Sequence, residues 1–142
     1  MPLAESTLMF VYGTLRKDSR GQVLSPLCRD WIFISHGSIA GRLYDFGAYP
    51  GAVPSDDPED RVRGELYRLP APETMLPPID RYEGCAPEDA PPHEFERRLV
   101  RVELEDGSAA EAWIYWYRPE PRGRLLASGD YLERMRGPRR SG

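Results

Sequence analysis

Two cysteines and two histidines are too few, and too scattered, for the common disulfide and metal frameworks. Cys28 and Cys85 stand far apart and form no Cys-X-X-Cys pair, so they read as reduced thiols of a cytosolic protein. His36 and His93 show no ligand spacing with each other or with the cysteines, and no metal site is expected. An excess of basic charge is also missing: 19 Lys and Arg stand against 23 Asp and Glu, for a net charge of −4. The electrostatic footprint of a nucleic-acid binder is therefore absent. The one basic cluster, Arg134, Arg136, Arg139 and Arg140, reads as a solvated tail. No apolar run is long enough to span a membrane, and the opening residues "MPLAEST" lack the basic start and apolar core of a secretory signal. These absences leave a cytoplasmic protein with neither a nucleic-acid nor a membrane partner as the expectation.

What is present suits one domain. A chain of 142 residues can bury a real core. No repeat period or long linker divides it, so the expectation is a single domain over 1–142, with its core at about 8–136 and a flexible tail at 137–142. Fifteen prolines and 13 glycines punctuate the chain, and "PEDAPP" at Pro87 to Pro92 reads as a surface loop.

The patterning is mostly extended. Leu8 to Tyr12 is a strand by its β-branched and aromatic content. Trp31 to Phe46 holds one or two strands, with Gly37 and Gly41 marking bends or bulges. Arg61 to Leu69 alternates, and so does Phe95 to Glu105, where Val100, Val102 and Leu104 share a side. Asp106-Gly107 is a hairpin turn by type, and Ala109 to Tyr117 returns apolar on both faces. Helical signals are weaker. Gly21 to Arg29 reads as a short helix, and Ser128-Gly129-Asp130 caps another through Met135. Because proline is tolerated in a first helical turn, a third helix is expected to start at Pro77 or Pro78 and to end by Gly84. About six strands that do not alternate with two or three short helices imply an α+β fold on a small mixed or antiparallel β-barrel with short flanking helices.

Ile79 and Glu83 are four apart and share a helix face. If Ile79 meets the core, Glu83 lies near it, on the inner rim of the barrel. Burial there would raise its pKa toward the range in which a carboxyl both takes and gives a proton. The alternative is a solvent-facing charge at a helix end, which spacing alone favours.

"FVYGTLR", "GRLYDFGAYPGAV" (Gly41 to Val53), "GELYRL" (Gly64 to Leu69), "IDRYEG" (Ile79 to Gly84), "AWIYWY" (Ala112 to Tyr117) and "SGDYL" occur in this order. Together they resemble the gamma-glutamylcyclotransferase-like family from about Leu8 to about Arg134. A piece such as "GELY" is unspecific alone; the ordered set is specific. The resemblance implies a small mixed barrel and a cofactor-independent lyase or transferase reaction. In it, the α-amino group of a small-molecule gamma-glutamyl substrate attacks its own γ-carbonyl, giving 5-oxoproline and a released amine or amino acid. It implies Glu83 as the general acid/base. It also places Tyr12, Gly13, Thr14 and Leu15 at the pocket, where backbone N–H groups hold the substrate carboxylate. A glycine permits that close approach, and successive N–H groups form an anion nest. Tyr49 and Pro50 fall on the match to the pocket-side loop, where a plain turn is the equal alternative. Tyr115 is a further candidate for substrate contact, with wall packing as its alternative.

Arg97 and Arg98 read as a solvated strand face. A thiol hydrolase built on Cys85 and His93 would need thiolate and imidazole held together, which nearness in sequence does not supply. A non-catalytic module of the same fold, binding a small acidic metabolite, is the alternative function. It would have no need of an acid/base at Glu83.

Overall fold

The computed structural model describes residues 7–12, 30–46, 50–83, 85, 88, 92–121 and 123–130. The chain runs β1 (Leu8–Val11), β2 (Ile32–Asp45), β3 (Pro50–Pro54), β4 (Arg61–Arg68), α1 (Pro72–Glu83), β5 (Phe95–Leu104), β6 (Ala109–Tyr117) and β7 (Arg124–Leu125). β1 pairs antiparallel with β4, β4 with β2, and β2 with β3. Parallel bridges from β3 to β6 and from β6 to β1 then close a ring of five strands. β5 extends β6 as a hairpin and also touches β2, and β7 adds to the far end of β2. Closure gives the mixed barrel that the strand count implied and leaves the five ring strands without an open edge.

Period-2 alternation sorts the strand residues into two cores. Phe10, Ile39, Leu43, Ala52, Leu66 and Ile114 are among those filling the barrel interior. The opposite faces of β1, β4 and β6 carry Met9, Tyr67 and Trp113, which pack with Leu76 and Ile79 of α1 against the outer wall. Ile79 is therefore buried as expected, but the core it enters lies between helix and barrel. α1 thus packs on the outer wall of the ring, and the Glu83 side chain, for which the inner rim and solvent were the two expectations, lies outside the described residues.

The helix also begins earlier than its prolines suggest. Pro72 takes the first helical position, where its missing N–H costs nothing, and the Ala71 carbonyl accepts from Thr74 and Met75. Pro77 and Pro78 sit in the interior. Neither can donate back to Glu73 or Thr74, but those two residues are exposed and water can serve their carbonyls. An interior proline costs about 3 kcal/mol. Complete burial of Ile79 and near-complete burial of Leu76 offset this locally, at about 1.5–3 kcal/mol each.

Trp31 to Phe46 contains one long strand. Its register irregularity falls between Phe33 and Ser35, and Gly37 and Gly41 stay in regular pairing. The hairpin at Asp106-Gly107 is as expected, with Gly107 at φ 88°. Gly21 to Arg29 and residues 131–135 of the two other expected helices lie outside the described residues. Among the described residues no helix is long and apolar enough to cross a membrane.

Candidate active site

The end of β1, the middle of β6 and the end of α1 meet through a run of hydrogen bonds. Tyr12 directly follows β1 and is buried. Its phenol donates to the Tyr115 carbonyl oxygen at 2.7 Å and accepts from the Ala52 N–H at 3.2 Å. One side chain thus ties β1 to both β6 and β3. Odd positions of β6 point to the outer wall, so Tyr115 projects toward α1. There its phenol donates to Oδ1 of Asp80 at 2.6 Å. Burial first, and the Asp80 carboxylate second, push the Tyr115 ionisation far above the usual phenol range. The group therefore remains a donor at any ordinary pH.

Asp80 is itself buried, its side chain only 12% exposed. Arg97 on β5 grips it with both ends of its fork, Nε to Oδ1 at 2.8 Å and Nη2 to Oδ2 at 3.1 Å. The Arg97 guanidinium also lies over the Trp113 ring, 4.3 Å from its centroid. Cys85 Sγ is 4.0 Å from Asp80 Oδ1, and the Cys85 N–H donates to the Asp80 carbonyl oxygen at 2.9 Å. That last bond is the long reach-back that closes a helix C-terminus. Glu83, the last residue of α1, sits in the chain between these two tied positions.

Of the residues singled out from sequence, Tyr12 and Tyr115 are brought together directly. Pro50 begins β3, is buried, and stands opposite Asp45, two residues from the Ala52 that binds Tyr12. Gly13, Thr14, Leu15 and Tyr49 lie outside the described residues, as does the Glu83 side chain. Arg97 is a correction. It was expected on a solvated face with Arg98, but only Arg98 is there, exposed and paired with Glu96. Asp80 and Arg97 were missed although "IDRYEG" contains the first. Strand parity carried a signal for the second, because Arg97 shares its side of β5 with the buried Phe95.

A second buried carboxyl lies on β4. Glu65 accepts from the Tyr67 phenol at 2.7 Å, and His36 Nε2 is 3.7 Å from its other oxygen. Grooves of about 660 and 390 Å³ open elsewhere on the surface, the first beside Trp116 and Arg118, the second beside His36 and Asp130. Neither is lined by Tyr12, Asp80 or Tyr115, so neither is taken as the site.

Residues 9–133 match the family described as gamma-glutamyl cyclotransferase, AIG2-like. The gamma-glutamylcyclotransferase family protein YtfP of Escherichia coli K12 is 32% identical over 132 residues, covering 89% of this chain and 96% of its own. The crystal structure of YkqA from Bacillus subtilis superposes with a TM-score of 0.69 at 26% identity over 92% of this chain, which spans 41% of that longer protein. An AIG2-like protein from Mus musculus shares the fold, with a TM-score of 0.63 at 23% identity over 83% of this chain and 81% of that one. The chain belongs to the gamma-glutamyl cyclotransferase, AIG2-like family.

Proposed function

We propose that this protein is a gamma-glutamyl cyclotransferase that releases 5-oxoproline and an amine or amino acid from a small gamma-glutamyl compound. The observation that supports the reading is the family match over residues 9–133, within which Glu83 is the last residue of α1, three positions along the chain from Asp80, which is pinned to two strands.

The chemistry needs one group that handles a proton twice. The substrate's α-ammonium cannot attack, so Glu83 takes its proton. The freed amine forms a C–N bond to the γ-carbonyl carbon, and the electron pair moves to oxygen. When the tetrahedral centre collapses, the bond to the leaving nitrogen breaks and Glu83 returns the proton to that nitrogen. The ring nitrogen gives up its remaining extra proton to water as the lactam forms, and the released amine takes one from water. Electrons and protons thus balance within substrate, carboxyl and solvent, and the reaction as proposed draws on no cofactor. General acid–base help of this kind is worth about 10²–10⁴ in rate. Ring closure is already intramolecular, so the pocket chiefly has to hold the reactive conformer. In this reading the backbone N–H groups of Gly13, Thr14 and Leu15 hold the substrate carboxylate. Tyr12, Tyr49 and Pro50 form the surrounding wall, and Tyr115 stands behind it with its phenol on Asp80.

The test is incubation with a panel of gamma-glutamyl amino acids and gamma-glutamyl amines, reading 5-oxoproline. Glu83→Gln is the control, since it keeps shape but cannot take a proton. Release by the parent and its collapse in the variant support the assignment. No release from any member of the panel would replace it with a binding module of the same fold.

A further inference from the structure

Asp80 makes more bonds than a helix needs to stay on a barrel. Leu76 and Ile79 already supply the apolar contact of α1. A buried ion pair adds little stability over apolar residues of the same size, because desolvation offsets the attraction. What such a pair does provide is direction. Arg97 fixes the plane of the carboxylate from β5 through two bonds, and Tyr115 fixes one oxygen from β6 through a third. The Asp80 carbonyl simultaneously holds the Cys85 N–H. The backbone from 80 to 85 is thus tied at both ends, and Glu83 lies within it.

The same phenol belongs to a residue whose carbonyl holds Tyr12, the residue just before Gly13. Tyr12, which precedes the proposed carboxylate anchor in the chain, and Asp80, in the helix that ends at the proposed acid/base, are therefore both tied to one position on β6.

Resting on the cyclotransferase reading, we propose that Asp80, held by Arg97 and Tyr115, is a positioning residue that sets the aim of Glu83 at the substrate. Tyr115 on this view acts through Asp80 rather than by touching the substrate. Asp80→Asn keeps the shape but loses the charge that orients the Arg97 fork. Tyr115→Phe removes one oxygen and leaves the ring packed.

Two measurements separate this proposal from the reading beneath it. The first needs no activity: amide hydrogen exchange in the parent, Asp80→Asn and Tyr115→Phe. Exchange at Tyr82 to Cys85 is expected to quicken at least about tenfold in Asp80→Asn, and less in Tyr115→Phe, with β4 unchanged. The second is steady-state kinetics on whichever gamma-glutamyl amino acid of the panel the parent cleaves fastest. The turnover number should fall about tenfold or more in Asp80→Asn with KM within about twofold, because aim is lost and the carboxylate anchor is kept. The double variant should be no worse than Asp80→Asn, since both changes break one device. Parental turnover in Asp80→Asn, a rise in KM alone in Tyr115→Phe, or strictly additive losses would overturn the proposal. Unchanged exchange at Tyr82 to Cys85 would overturn it even if no gamma-glutamyl compound were cleaved. If Asp80→Asn fails to fold, Tyr115→Phe decides by the same two readouts. Absence of parental turnover alongside loosened exchange would count against the cyclotransferase reading and leave Asp80 as the anchor of the segment.

Discussion

The Tyr115 phenol stands 2.6 Å from Asp80 Oδ1, while the Tyr115 carbonyl receives the Tyr12 phenol at 2.7 Å. One residue of β6 thereby joins the end of β1 to the end of α1, through partners 103 and 35 residues away along the chain respectively. Local sequence cannot make that join. It needs the parallel β1–β6 bridge that closes the barrel, which puts Met9 beside Trp113.

Tyr12 should matter to stability apart from any chemistry. Tyr12→Phe deletes the bonds to both the Tyr115 carbonyl and the Ala52 N–H while keeping the ring in the barrel core. Each buried backbone group so deprived carries a penalty of about 1–3 kcal/mol. Urea unfolding should show a loss within or somewhat above that range, with the slope unchanged. A parental midpoint would mean that these bonds contribute nothing net.

Gly129 makes a second stability prediction through the backbone. It sits at φ 71°, receives the Arg63 N–H on its carbonyl and donates to the Leu126 carbonyl. A Cβ there would run into the Arg61 carbonyl oxygen. Gly107, at φ 88°, has open space around the same position. Gly107→Ala should therefore cost only the left-handed strain, about 1–2 kcal/mol. Gly129→Ala should cost clearly more, because β4 must also shift. Equal melting temperatures for the two variants would contradict the collision.

Acid should weaken the fold through its surface carboxylates. A hydrogen bond from Ser55, followed by the bond from Arg42, holds Asp60 below its ordinary range. The Arg98 bond does the same for Glu96, and the Ser108 hydroxyl for Asp106. A carboxyl whose folded pKa is depressed contributes stability above its unfolded pKa, and the contribution is lost as pH falls through the folded one. Thermal midpoints should accordingly be level above about pH 5 and decline below about pH 4. Ser55→Ala removes the largest cause at Asp60 and should make that decline shallower. A decline of parental steepness in the variant would show that Asp60 is not part of it.

These elements also mark what a reader of the sequence can and cannot see. The β5–β6 hairpin was legible because Val100 and Val102 alternate and Asp106-Gly107 names its own turn. β3 was not, because "PGAVP" has a proline at each end and only five residues. Pro50 and Pro54 are tolerated at the strand termini, where fewer ladder donors are needed. The start of α1 was hidden by Pro77 and Pro78, whose local cost is overruled by the burial of Leu76 and Ile79. Tyr12 and Tyr115 were legible as candidates; that the second would serve Asp80 was not. Adjacent arginines look alike in a sequence, and only the partner strand and helix decide that Arg97 turns to Asp80 while Arg98 stays in water.

The two halves of the proposed site should fail in different ways. Gly13 follows Tyr12, whose side chain is locked to β3 and β6, so the chain enters the Gly13–Thr14–Leu15 segment from a fixed point. On the proposed reading its N–H groups hold the substrate carboxylate in the ground state and the transition state alike. A Val side chain at Gly13 would block the anion's approach. Bonds from N–H groups to a carboxylate are worth about 1.5–3 kcal/mol each, so losing one should raise KM roughly tenfold to a hundredfold. Uniform binding energy of this kind leaves turnover at saturation nearly intact. Glu83→Gln should behave in the opposite way. Its carboxyl matters only as protons move, so turnover should drop at least about a hundredfold, or roughly 2.7 kcal/mol, while KM stays near parental. Steady-state curves for the two variants on one gamma-glutamyl amino acid, with 5-oxoproline as the readout, measure both parameters at once. If Gly13→Val loses turnover at unchanged KM, the segment is not a uniform anchor. If Glu83→Gln turns over like the parent, the proton passes through some other group and the proposed mechanism is wrong.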